Sequence, residues 1–153
     1  MLDASDIAPD FTLPLGGGGE ITLSGLRPAP VVLFFYPRDN TSGCTKEAVA
    51  FSSLLDDFKA ARVHVFGISK DSVKSHEKFT AKHDLTVPLL SDENGSVCED
   101  FGIWVEKNMY GRKYFGIERS TFLIGGDGNI VQSWRKVKVP GHAEAVLEAV
   151  KSL

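Results

Sequence analysis

Val31-Val32-Leu33-Phe34-Phe35-Tyr36 is an unbroken run of β-branched, aliphatic and aromatic residues, and Pro37 closes it. A short run with no polar position reads as a central strand buried on both faces. Pro37 ends the strand because it has no N–H to give to a ladder. The residues behind it, Arg38-Asp39-Asn40-Thr41-Ser42-Gly43, are rich in turn formers. A helix is expected over about residues 44–61, with Val49, Phe51, Leu54, Leu55 and Phe58 on its apolar side. Cys44 therefore falls where a helix begins, just past the carboxyl end of a buried strand.

Working outward, Val63 to Ile68 reads as a second strand. Asp71 or Ser72 caps a helix running to about His83. Pro88-Leu89-Leu90 is a short strand, Ser91-Asp92 a turn, and a short helix around residues 96–101 carries Cys98. Thr121 to Ile124 and Ile130 to Lys136 flank Gly125-Gly126-Asp127-Gly128, a strong hairpin signal because glycines supply the positive φ of tight turns. Ala143, Val146, Leu147 and Val150 mark a closing amphipathic helix. Gly16 to Gly19 precede the alternating Glu20-Ile21-Thr22-Leu23, so they read as a hairpin turn; a phosphate cradle needs a helix start there. The order strand, helix, strand, helix, strand, hairpin, helix gives an α/β fold with a mixed central sheet and helices on both faces, the thioredoxin-like layout. In such sheets active sites lie beyond the carboxyl ends of strands, where residues 37–44 are.

The 153 residues suit a single domain spanning 1–153, and 42% hydrophobic content excludes a disordered tail. The longest apolar run is far too short to span a bilayer, so no membrane partner is expected. The net charge is −3 with no basic stripe, so nucleic acid is not expected either. The segment Met1 to Ile7 has two Asp and no basic region, which argues against a secretory signal and for the cytoplasm. Two cysteines with no C-x-x-C pairing imply free thiols in a reducing compartment.

Free N–H groups and a partial positive charge at a helix N-terminus favour a thiolate over a thiol, and the thiolate is the nucleophile. Thr41, three residues before Cys44, has a hydroxyl able to donate and accept at once. Pro37 fixes the loop and can shield one side of the sulfur.

Pro37 to Cys44 resembles the P-x-x-x-T-x-x-C signature of peroxiredoxins. Ala8-Pro9-Asp10-Phe11, Phe35-Tyr36-Pro37, Gly43-Cys44-Thr45-Lys46-Glu47-Ala48, Gly67-Ile68-Ser69, Leu90-Ser91-Asp92, Phe101-Gly102-Ile103-Trp104 and Arg119-Ser120-Thr121-Phe122-Leu123-Ile124 are similar to the bacterioferritin comigratory, or Q-type, branch. The resemblance runs through nearly the whole chain. It implies a thiol-dependent peroxidase in antioxidant defence, reducing hydrogen peroxide and organic hydroperoxides through a Cys44 sulfenic acid. It implies that Arg119 stabilises the thiolate and the charge developing on oxygen. It implies no cofactor, an external thiol reductant (thioredoxin, a glutaredoxin or a small thiol), and a monomer or weak homodimer.

Many members of that branch carry a resolving cysteine five positions after the first, where this chain has Val49, and others place it in the helix that here spans about residues 71–83. Only Cys98 remains. It reads as a buried small hydrophobe, so a one-cysteine mechanism is expected, with resolution by Cys98 as the alternative. A thioredoxin-type dithiol enzyme would need C-x-x-C, and Cys44 is followed by Thr45-Lys46-Glu47. A catalytically silent binding module would have no need of Pro37, Thr41, Cys44 and Arg119 together. Glu47 is expected to cap its helix end by reaching back to free N–H groups. His64, His76, His83 and His142 are expected at the surface, with no zinc-like grouping. Trp104, Met109, Tyr110, Tyr114 and Phe115 are expected in the core or at the active-site rim.

Overall fold

In a computed structural model, residues 2–153 are described. Met1, where the signal-peptide reading starts, lies outside them. The sheet at the centre is built on β3 (Val31–Phe35), whose residues are all buried. β4 (His64–Ser69) and β5 (Leu89–Ser91) run parallel to it on one side. β8 (Ser120–Ile124) and β9 (Ile130–Trp134) continue antiparallel on the other, giving the order β5-β4-β3-β8-β9. This is the mixed α/β sheet expected from the sequence. The connections explain it: helical crossovers return the chain parallel, whereas the short 125–129 turn forces β9 back along β8.

Alternation along β3 separates two cores. Val32, Phe34 and Tyr36 face one side, where Cys44, Ala48, Phe51, Phe58, Phe79, Val146 and Val150 pack. Val31, Leu33 and Phe35 face the other, where Phe11, Leu13, Cys98, Phe101 and Ile103 pack. The first face is covered by α1 (Ser42–Ser53), α2 (Leu55–Ala60), α3 (Val73–His83) and α5 (His142–Lys151). The second is covered by the N-terminal segment and by α4 (Val97–Asp100). The glycine run does form a turn, between β1 (Thr12–Pro14) and β2 (Glu20–Thr22), with Gly17, Gly18 and Gly19 all at positive φ.

Two expectations are corrected, one over residues 44–61 and one for the side chains after Ile103 that were expected in the core. The single helix over 44–61 starts earlier, at Ser42, and breaks at Leu54 into α1 and α2. The segment after Ile103 forms an antiparallel hairpin, β6 (Trp104–Met109) and β7 (Arg112–Ile117). Met109, Tyr110, Tyr114 and Phe115 are exposed on it, and only Trp104 packs against the core. Among the described residues β6 and β7 pair only with each other, outside the central sheet. Among the described residues no helix is long and apolar enough to cross a membrane.

Candidate active site

The register of β3 against β8 creates the site. The two strands are antiparallel, and Phe35 at the end of β3 pairs with Ser120 at the start of β8. Arg119, just before β8, is thereby placed beside the loop that follows β3. Thr41 is the N-cap residue of α1, so Cys44 sits in the first helical turn.

Arg119 and Cys44 meet. The guanidinium Nη2 lies 3.2 Å from the Cys44 sulfur, and Nη1 lies 2.6 Å from Glu47 Oε1. One side chain thus spans a thiol and a carboxylate of the same helix. Glu47 is not the helix cap expected from sequence. It faces inward, and its Oε2 is buried with no hydrogen-bond partner among the described residues. Burial pushes its carboxyl up to about 7, against the opposing pull of the Arg119 charge and hydrogen bond. Arg119 itself is lowered by burial, but the Glu47 and Cys44 charges outweigh that and hold it above its usual value. A fixed guanidinium of this kind stabilises negative charge on sulfur and on an oxygen in contact with it.

Thr41 does not cap the helix with its side chain. Its hydroxyl donates to the Arg38 carbonyl at 3.0 Å, while its carbonyl accepts from the Thr45 N–H and hydroxyl. With its proton committed to Arg38, the Thr41 oxygen keeps lone pairs to accept from a substrate O–H. Pro37 is half-buried directly after β3, where the chain leaves the sheet. Cys44 is 1% exposed and packs in the core under α1, its sulfur in contact with Arg119.

Cys98 is not part of this constellation. It lies in the core on the opposite face of the sheet, fully buried, with its N–H donating to Asp92 Oδ2 at 2.9 Å. Burial, then the adjacent Asp92 carboxylate, pushes its thiol far above the usual range.

Sequence reasoning missed three neighbours. Lys107 on β6 is held below its usual value by burial and by the Arg119 charge, which places a second cation near the site. His142, expected at the surface, is buried at the start of α5, its Nε2 2.8 Å from the Thr121 hydroxyl. Burial and the Arg119 charge drive it down to about 4. His76, also expected at the surface, is completely buried and bonded to Asp39 at 2.8 Å. Its position seven residues before the half-buried His83 on one helix gave no hint of this, because the apolar face of α3 is narrow.

Residues 4–133 match the AhpC/TSA family. The chain belongs to that family. Peroxiredoxin Bcp of Xanthomonas campestris is 49% identical over 143 residues, covering 94% of this chain and 89% of that protein. Peroxiredoxin Bcp of Escherichia coli is 41% identical over 150 residues, covering 98% and 96%. Among solved structures, a cysteine-to-serine variant of Xylella fastidiosa PrxQ superposes with a TM-score of 0.94 at 44% identity, covering 99% of this chain and 97% of that one. The fold is accordingly that of the thioredoxin-like peroxiredoxins, and the chain is a thiol-dependent peroxidase. As a peroxiredoxin it takes a hydroperoxide as substrate and a thiol as reductant. The Q-type resemblance seen in the sequence agrees with these relatives.

Proposed function

We propose that Cys44 is the peroxidatic nucleophile of a one-cysteine cycle. The observation that carries this reading is the 3.2 Å contact between Arg119 Nη2 and the Cys44 sulfur, at the first turn of α1. The Cys44 thiolate attacks one oxygen of ROOH. An S–O bond forms, the O–O bond breaks, and the departing RO⁻ takes up a proton to leave as alcohol, or as water from hydrogen peroxide. In balance, Cys44–S⁻, ROOH and H⁺ give Cys44–SOH and ROH. Arg119 stabilises the charge passing from sulfur to oxygen, and the free lone pairs of Thr41 receive the peroxide O–H. Pro37, with no N–H to hydrate, shields the sulfur from water. A solved relative from Xanthomonas campestris is described by its alkyl peroxide reduction activity, and organic hydroperoxides are proposed substrates here beside hydrogen peroxide.

The sheet supports one cysteine rather than two. A disulfide requires Cα atoms within about 7 Å, and Cys44 and Cys98 lie in cores on opposite faces of the sheet. Resolution also requires a thiolate, which the environment of Cys98 opposes. An external thiol (thioredoxin, a glutaredoxin or a small thiol) therefore reduces the sulfenic acid, and the cycle runs in the cytoplasm in a monomer or weak homodimer.

The test is peroxide consumption by Cys44→Ser with a panel of thiol reductants. Activity is expected to vanish while the fold persists. Substantial turnover by that variant would remove Cys44 from the role.

A further inference from the structure

Within residues 37–43, Asp39 alone is buried, though peroxide chemistry at Cys44 has no direct use for it. Asp39 Oδ1 accepts from the Tyr36 hydroxyl at 2.7 Å. Asp39 Oδ2 accepts from the Ser75 hydroxyl at 2.7 Å and from His76 Nδ1 at 2.8 Å. The Asp39 main-chain N–H donates to Asp71 Oδ2 at 2.8 Å, an oxygen that also accepts from the Ser69 hydroxyl at 2.7 Å. His76 Nε2 lies 2.9 Å from the Leu90 carbonyl oxygen. The loop is thus tied at one residue to Tyr36 just past β3, through Asp71 to Ser69 at the end of β4, to α3 and, through His76, to Leu90 in β5.

The His76 ring is held at both nitrogens, Nδ1 against the Asp39 carboxyl group and Nε2 against the Leu90 carbonyl. Burial pushes the Asp39 carboxyl up, but the hydrogen bonds from His76 and Tyr36 outweigh it and hold it below its usual value. Asp39 and His76 form a buried side-chain pair whose polar atoms are all hydrogen-bonded. Asp39, Asp71 and His76 also bring ligand atoms within 4.8 Å of one another, the spacing of a metal site. Asp39 and His76 spend both of their polar side-chain atoms, and Asp71 its Oδ2, in the bonds above, so the arrangement is a lock rather than an open chelate. Removing either partner of such a buried contact leaves the other's polar group without its bond, so the two side chains hold each other in place.

What the lock positions is the peroxide-facing part of the loop. Asn40 follows Asp39 at φ 64°, a left-handed turn that Asn tolerates, and Thr41 comes next as the α1 N-cap. We propose that Asp39 and His76 are positioning residues of the peroxidase reaction, holding the loop so that the Thr41 hydroxyl stands at a fixed place over the Cys44 sulfur. This rests on the reading of Cys44 as the nucleophile.

The test compares two reactions of the same sulfur. Hydrogen peroxide needs the aligned loop, whereas iodoacetamide, a neutral alkylating agent, needs only a reactive thiolate. Second-order rate constants for both are measured on reduced His76→Leu and Asp39→Asn. Misplacement of a positioning loop by about 1 Å costs up to about 100-fold, so a 10- to 100-fold fall with peroxide is expected, with alkylation within about threefold of wild type. An unchanged peroxide rate in a folded variant overturns the proposal. An equal fall in both rates overturns it too, since the pair would then act on the sulfur or on the fold at large. Should those variants not fold, Tyr36→Phe and Ser75→Ala each remove one hydroxyl from Asp39. They are expected to slow the peroxide reaction selectively by about threefold to tenfold, and wild-type rates in both would overturn the proposal. Cys44→Ser is assayed alongside. If it still consumes peroxide, the nucleophile reading fails. If it is dead while His76→Leu behaves as wild type, only the positioning role fails.

Discussion

A guanidinium that grips a buried carboxyl group with one arm has its other arm fixed in place, and in this protein that second arm meets the Cys44 sulfur. Removing a preorganised donor to a developing oxyanion costs about 100- to 1000-fold, so Arg119→Ala is expected to lower the peroxide rate constant by that order in stopped-flow measurements. A loss below about threefold would remove Arg119 from the reaction. The two buried titrating groups beside Arg119 act on stability with opposite sign. Glu47 holds its proton up to about 7 when folded, against 4.5 for the free group, so its contribution is full below pH 4.5 and is lost as pH rises through 7. His142 is held down to about 4 from 6.5, so its contribution is present above pH 6.5 and is lost as pH falls through 4. Urea unfolding from pH 4 to 8 separates them. Relative to Glu47→Gln, wild type is expected to lose stability as pH rises from 4.5 to 7. Relative to His142→Gln, it is expected to lose stability as pH falls from 6.5 to 4. A pH-independent difference in either comparison would contradict the assigned environment. The positions of Cys44 and Thr41 at a helix start were legible because loop and helix signals are local. The contact of Glu47 with Arg119 was not, because it depends on which strand lies beside β3, and no local pattern records that.

The elements that follow from local pattern came out at close to their expected places: β3, β4, α3, the 125–129 turn and α5 each have a continuous apolar run, a cap or a glycine turn of their own. The β6–β7 hairpin had only Gly111, at φ 78° in its turn, and no apolar run or cap. Its residues, Glu106, Lys107, Asn108 and Lys113 among them, are largely polar or exposed, so no buried face marked it as a strand pair. The break at Leu54 was also invisible, since Leu54 and Leu55 both suit the apolar side of one long helix. In β4, Gly67 is set by its neighbours. An added Cβ would lie 2.6 Å from Phe34 Cζ and 2.8 Å from Leu89 Cδ2. Gly67→Ala is therefore expected to destabilise the sheet by about 1–3 kcal/mol through overpacking. That exceeds the gain of about 0.4–1 kcal/mol that Ala brings by restricting the unfolded chain. Chemical denaturation would check it, and an unchanged or higher midpoint would refute the contact.

At the scale of the whole molecule the central sheet is a partition, and the two cysteines are on opposite sides of it. Cys98 is packed with Phe101, Leu33 and Phe35, so bringing it to Cys44 would require taking that face apart. Exposing such side chains costs about 1.5–3 kcal/mol each. Cys98→Ser is accordingly expected to keep most of its peroxidase activity when a small thiol is supplied, and loss of turnover with the sulfenic acid still forming would assign Cys98 to resolution. The sequence could place both cysteines on elements but not on faces, because the face of the short α4 is decided by what packs over it. The most direct measurement is mass spectrometry of reduced wild-type protein after one equivalent of hydrogen peroxide. One added oxygen on the Cys44 peptide, with Cys98 still a thiol, is the expected result; a Cys44–Cys98 cross-linked peptide lighter by two hydrogens would contradict the one-cysteine account.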